Sequence, residues 1–272
     1  MFIVNINCHS LKQRDRDIIL KKKEFNYRIN SNESPTSNYQ EEKSILLKRL
    51  IDLNLSNSQI SNLTLSRGDL TRILYYNQIY QHILGKPGSI MEFGVQYGLS
   101  LSLLLKLRAI YEPYNYSREI IGFDTFKGFT KNLSSYENKN NWKKGDYGVP
   151  KNFEKTIEEF LNLEEYNAPL NWMKKFSLVK GDASKTINDY LKKNPHTIIG
   201  MAIFDMDVYH PTKKVLEIIK PRLFKGSILV FDELNCKSFP GETVALLESI
   251  GLNNLKLNSF HGETFGSWAV IE

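Results

Sequence analysis

Five acidic residues sit at the ends of five short apolar runs. Glu92 closes the run at 89–93, and Asp124 follows 119–123. Asp182 follows 177–181, Asp205 follows 197–204, and Asp232 follows 227–231. A single carboxylate in such a place is an ordinary polar terminus, but five in succession describe a lined edge. Carboxylates accept hydrogen bonds from sugar hydroxyls and amino groups, and clustered ones need a cation or protons between them. The elements that position them alternate with helical patterns at 99–110, 186–191 and 212–223. That alternation predicts an α/β chain with a doubly wound, mostly parallel, Rossmann-like sheet covered on both faces. Ligands bind such sheets outside the carboxyl ends of the strands, where the five acids lie.

The segment 92–100 reads EFGVQYGLS and joins the first strand to its helix. Gly94 permits close backbone approach, and Gly98 permits a tight helix start. Amides at that helix start, with the Ser100 hydroxyl, suit a carboxylate or phosphate. Gln96 stands where the dinucleotide fingerprint needs its middle glycine, and the segment is not a phosphate-binding P-loop. Asp124, ending the next strand, suits two ribose hydroxyls. Asp182, before Ala183, suits an adenine amino group. An adenosine-bearing ligand is expected.

The chain has 272 residues, 41% hydrophobic and 24% charged, which excludes a disordered or collagen-like polypeptide. Its net charge of +6 is mild. The lysines fall in scattered pairs such as Lys192-Lys193, so no nucleic-acid partner is expected. Cys8 and Cys236 form no CxxC pattern, which excludes a disulfide framework and a thiolate zinc site. No apolar run approaches the roughly 18 residues of a membrane span, and the first residues lack a leader pattern. A cytoplasmic protein is expected.

Residues 1–85 read as an N-terminal helical extension or cap, and 86–272 as the ligand-binding domain. The extension carries Lys21, Lys22 and Lys23 beside Ile18–Leu20, a polar connection at 26–42, and helical patterns at 41–53 and 66–84. Leu70, Ile73, Leu74, Tyr80 and Ile83 form the expected apolar stripe of the last one. Residues 1–65 could cover the site or swap across a homodimer. Two closing strands are expected at 255–257 and 267–271. The polar stretch 131–150 reads as a lid, with Trp142 and Tyr147 placed to stack on a ligand and Lys143 and Lys144 to meet a phosphate.

EFGVQYGLS, GFDTFKGF, VKGDASKTI and FDMDVYHPTKKVLEIIKPRLFKGSILVFDE together resemble a class I S-adenosylmethionine-dependent methyltransferase. More narrowly, they resemble the macrocin O-methyltransferase family, which methylates sugar hydroxyls. The resemblance spans about 83–248 and implies a seven-stranded sheet with S-adenosyl-L-methionine as cofactor. It places Glu92, Gly94, Gly98 and Ser100 on the cofactor's amino-acid part, Asp124 on its ribose, and Asp182 and Ala183 on adenine. It also implies Mg²⁺ held by Asp205, Asp232 and Glu233, where the family usually shows two aspartates after the late strand. An ion gripping two neighbouring hydroxyls would lower the pKa of one. Asp207, His210 and His261 are the candidate bases. The acceptor is a small molecule or glycan. A nicotinamide-dependent oxidoreductase and a non-catalytic adenosine-cofactor binder are the alternatives; the missing middle glycine and the late acids speak against them.

Overall fold

The computed structural model describes residues 36–131, 133–139, 141–253, 255–262 and 266–272; the basic segment at 21–23 lies outside them. Two compact units divide between Arg67 and Gly68. In the first, helix α1 (Thr36–Asp52) begins inside the stretch expected as a connection. Helix α2 (Asn57–Thr64) opens with a reciprocal cap: Gln59 N donates to Ser56 Oγ, and Ser56 N donates to Gln59 Oε1.

The second unit begins with helix α3 (Arg67–Ile83), which the sequence reading assigned to the extension. The helix belongs to the body because Tyr75, Tyr76, Ile79, Tyr80 and Ile83 are buried in the core. The expected stripe is therefore rotated, and Leu70 and Leu74 are 45% and 47% exposed. Tyrosine reads as half-polar in a hydropathy pattern, yet its ring brings a large apolar area into a core.

Then follow β1 (Ser89–Phe93), α4 (Leu99–Tyr111), β2 (Ile120–Asp124), α5 (Ser135–Lys139), α6 (Phe153–Tyr166), β3 (Phe176–Lys180) and α7 (Ala183–Lys193). The chain continues through β4 (Ile199–Phe204), α8 (Tyr209–Ile219), β5 (Leu223–Phe231), α9 (Gly241–Ser249), β6 (Leu255–Ser259) and β7 (Ser267–Ile271). The strands make one seven-stranded sheet in the order β3-β2-β1-β4-β5-β7-β6. Strands β1 to β5 pair in parallel, and β7 runs antiparallel between β5 and β6. The chain leaves β1 for β2 and β3, then crosses back to β4, so the strand order reverses beside β1. That reversal opens a crevice at the carboxyl ends.

Alternation along each strand divides the core in two. Ile90, Met201, Ile203, Ile228 and Val230 face α3, α4 and α6, whereas Met91, Ala202 and Leu229 face α7, α8 and α9. On the second face Phe123, Phe93, Phe204 and Phe231 stand in register across four strands, with ring centroids 5.0, 5.4 and 5.1 Å apart. This apolar row lies one residue before Asp124, Gly94, Asp205 and Asp232, so it forms the floor of the crevice. Among the described residues no helix is long and apolar enough to cross a membrane.

Candidate active site at the strand crossover

The loop after β1 is built for close approach. Gly94 has φ 99°, and a Cβ there would fall 1.8 Å from the Asp205 carbonyl oxygen, so only glycine lets β1 and β4 end side by side. Gln96 adopts φ 47°, the left-handed region that favours glycine. It is held there by Asp124. The Asp124 carboxylate accepts hydrogen bonds from the backbone N–H groups of Val95 and Gln96, both at 2.8 Å, and of Phe126 at 2.5 Å. Gly98, at φ 77°, begins α4 without a side-chain cap.

Glu92 is fully buried on the face of α3 and α4. Ser100 Oγ, in the first turn of α4, donates to Glu92 Oε1, while Oε2 has no partner among the described residues. Burial pushes the Glu92 pKa up to about 8, with the Ser100 hydrogen bond working against the rise.

Asp205 lies two residues beyond Ile203, which pairs with Glu92, so the two acids project from the same face. Burial and then the Asp232 charge raise the Asp205 pKa, and Arg72 opposes the rise. Arg72, on α3, places Nη2 3.4 Å from Asp205 Oδ2 and stacks its guanidinium over Tyr76 at 5.4 Å. Burial works against the Arg72 charge, but Tyr76, Asp205, Asp232 and Glu92 together raise its pKa. Glu242, at the start of α9, is also fully buried. It accepts from the N–H groups of Met206 and Asp207 at 3.3 Å and of Glu233 at 3.2 Å. One carboxylate thereby joins the turns after β4 and β5.

The expected metal set is not assembled in its three-carboxylate form. Glu233 hydrogen-bonds the Cys236 thiol, whose pKa is pushed up to about 11 by burial and by that bond. Among the described residues, no group of three His, Cys, Asp or Glu side chains stands in metal-holding geometry. Asp205 has Asp232 on one hand and Arg72 on the other, and of the two only Arg72 supplies positive charge to it.

Comparison with known proteins is consistent with this geometry. No protein-family model matches the chain, and neither does any curated sequence. Among solved structures, the chain is similar to CalS11, a calicheamicin methyltransferase, at 34% identity and a TM-score of 0.78. The match covers 88% of this chain and 94% of that one. The apo form of CalS11, described as a TDP-rhamnose 3′-O-methyltransferase, matches at 34% identity and 0.73, covering 88% and 96%. The chain belongs to this family of class I S-adenosylmethionine-dependent methyltransferases. The O-methyltransferase NovP shares the fold at 12% identity and a TM-score of 0.54, over 84% of this chain and 99% of that one.

In this methyltransferase the other expected site residues are spread around the crevice. Asp182 caps α7, its Oδ1 accepting from Ser184 N at 3.1 Å and Ser184 Oγ at 2.6 Å, and Ala183 is buried behind it. Asp207 sits at φ 61° in the turn held by Glu242. His210, exposed on the first turn of α8, lines a cleft of about 680 Å³ with Lys131, Asp182, Ser184 and Lys213. His261 is exposed in the β6–β7 turn, where neighbouring Gly262 lies against Thr71 of α3. The two histidines therefore flank the carboxyl edge from opposite faces of the sheet.

The described residues of 131–150 pack their aromatics against Phe129 and Phe239. Trp142 is only 6% exposed and packs on Phe239 at 4.7 Å, with Phe129 and Tyr147 beside it. It is part of a packed wall rather than an open stacking platform. Glu137 pins that wall to the start of α8 by accepting from Tyr209 N at 2.8 Å.

Sequence reading missed Arg72, Tyr76, Glu242 and Glu137. Arg72 lies in a helical pattern and Glu137 in the polar stretch read as a lid, where a solvated charge is the ordinary expectation.

Proposed function

We propose that the protein transfers a methyl group from S-adenosyl-L-methionine to a hydroxyl of a sugar, carried on a nucleotide or another small molecule. The observation that carries this reading is the 34% identity to CalS11 over 88% of the chain, joined to an acid-lined crossover suited to adenosine. The cofactor, when bound, supplies a methyl group already activated on sulfonium. The chain's part is to hold the acceptor oxygen in line and to receive its proton. Glu92, Gly94, Gly98 and Ser100 hold the amino-acid end, Asp124 the ribose, and Asp182 with Ala183 the adenine.

Asp205, Asp232 and Glu233 would hold Mg²⁺, which supplies orientation and acidity to the acceptor hydroxyl. Hard carboxylate oxygens match that ion; Asp205 also meets Arg72, and Glu233 the Cys236 thiol. Asp207, on the same turn as Asp205, takes the proton; His210 and His261 are the other candidates. The protein acts in the cytoplasm, as a monomer or a homodimer.

The test is calorimetric titration of S-adenosylhomocysteine, with and without Mg²⁺, into wild type and Asp124→Ala, followed by methyl transfer to TDP-rhamnose. Binding to wild type that Asp124→Ala abolishes supports the reading. No binding under either condition overturns it.

A further inference from the structure

Two buried polar atoms in the crossover lack partners, and they carry opposite preferences. Among the described residues, Arg72 Nε is a donor with no acceptor, and Glu92 Oε2 is an acceptor with no donor. Arg72 spends one long contact on Asp205 and lays its face on Tyr76, which leaves most of its five N–H donors unassigned. Leaving such groups unmatched is costly, so a ligand that satisfies both is favoured over one that satisfies either.

We infer that Arg72 binds the α-carboxylate of the cofactor's methionine part, while Glu92 receives the ammonium on the same carbon. The inference rests on the cofactor reading above and adds a residue outside the first loop. A planar guanidinium matches a carboxylate through two parallel hydrogen bonds. An anion alone, such as an acceptor phosphate, would meet Glu92, Asp205 and Asp232. A cation alone would meet Arg72. An amino acid's paired charges answer both, and α3 delivers Arg72 to the place because Tyr75, Tyr76 and Ile79 anchor the helix beneath it. On binding, Arg72 exchanges its long contact to Asp205 for the carboxylate, which frees Asp205 toward the acceptor side.

The test compares three ligands by calorimetry: S-adenosylhomocysteine, its decarboxylated analogue (which keeps the ammonium) and 5′-methylthioadenosine. Wild type should bind S-adenosylhomocysteine about 10- to 100-fold more tightly than the decarboxylated analogue, as expected for charge-assisted hydrogen bonds. Arg72→Met should erase that preference and leave affinity for the other two ligands within about three-fold, with Arg72→Lys recovering part of it. Equal losses for all three ligands, or no loss for S-adenosylhomocysteine, would overturn the assignment. If Arg72→Met does not fold, the wild-type preference and Arg72→Lys decide it: no preference in wild type sinks the idea. Failure of wild type to bind any of the three would instead count against the methyltransferase reading itself.

Discussion

The backbone N–H of Gln96 lies 2.8 Å from Asp124 Oδ2, joining the β1 loop to the end of β2. The bond stabilises a left-handed non-glycine residue at the position where a dinucleotide fold has glycine. Asp124 is therefore both a proposed ribose ligand and a structural tie for the loop beside it.

This double role predicts two effects of Asp124→Ala. Three backbone N–H groups lose their acceptor, so stability should fall by about 1–3 kcal/mol along with S-adenosylhomocysteine binding. Gln96→Gly should keep binding within a few-fold, because relief at φ 47° offsets the freer unfolded chain. Urea denaturation and calorimetry measure both; unchanged stability of Asp124→Ala would refute the tie, and normal binding the ribose role.

Gly94 and Gly251 separate crowding from backbone strain. Both have positive φ, but a Cβ at Gly94 strikes the Asp205 carbonyl, whereas one at Gly251 meets none of the described residues within 4 Å. Gly251→Ala should cost about 1–2 kcal/mol. Gly94→Ala should cost about 3 kcal/mol or more and disrupt ligand binding, since β1 and β4 must part. Equal melting temperatures for the two variants would contradict this account.

Burial of Glu92 makes the stability of the protein sensitive to pH. Its folded pKa of about 8 lies above the ordinary 4.5, so its folded-state advantage is fully present below 4.5 and is lost as pH rises to about 8. Arg72, Asp205 and Asp124 face the same carboxylate, and Arg72 lowers its pKa while the two acids raise it. Relative to Glu92→Gln, wild type should lose up to roughly 1.4 kcal/mol per pH unit across that window, then level off. Thermal melts of both proteins between pH 5 and 9 provide the check, and parallel curves would exclude a buried, titrating Glu92.

Glu242 should matter more for stability than its place outside the acid edge suggests. Glu242→Ala strands the N–H groups of Met206, Asp207 and Glu233 and should cost about 1–3 kcal/mol. Glu242→Gln keeps one acceptor oxygen and should cost less. Chemical denaturation distinguishes them; an unaffected Glu242→Ala would show that the two turns hold themselves.

Trp142→Ala should loosen the wall over the crevice without unfolding the sheet. Its ring lies against Phe239, Phe129 and Tyr147, apart from the two cores that flank the strands. Limited trypsin digestion at Lys143 and Lys144 should accelerate several-fold, while the main melting transition shifts little. A shared shift of both would show that the wall and the sheet unfold together.

Alternating apolar runs and helical patterns were enough to read the parallel sheet, its carboxyl edge and the acids along it. Those features depend on local periodicity, which a sequence displays directly. The same is true of Gly94 and Gly98, whose backbone freedom is intrinsic to the residue. What tertiary structure decided was who faces whom. The burial of Tyr75 and Tyr76 rotated α3 and brought Arg72 onto Asp205, more than a hundred positions away. Glu233 sits beside Asp232 in sequence, yet its carboxylate is engaged by Cys236, and Glu242 holds the turns on either side. Such pairings depend on helix rotation and turn geometry, which packing of the whole core sets and no short stretch of sequence encodes.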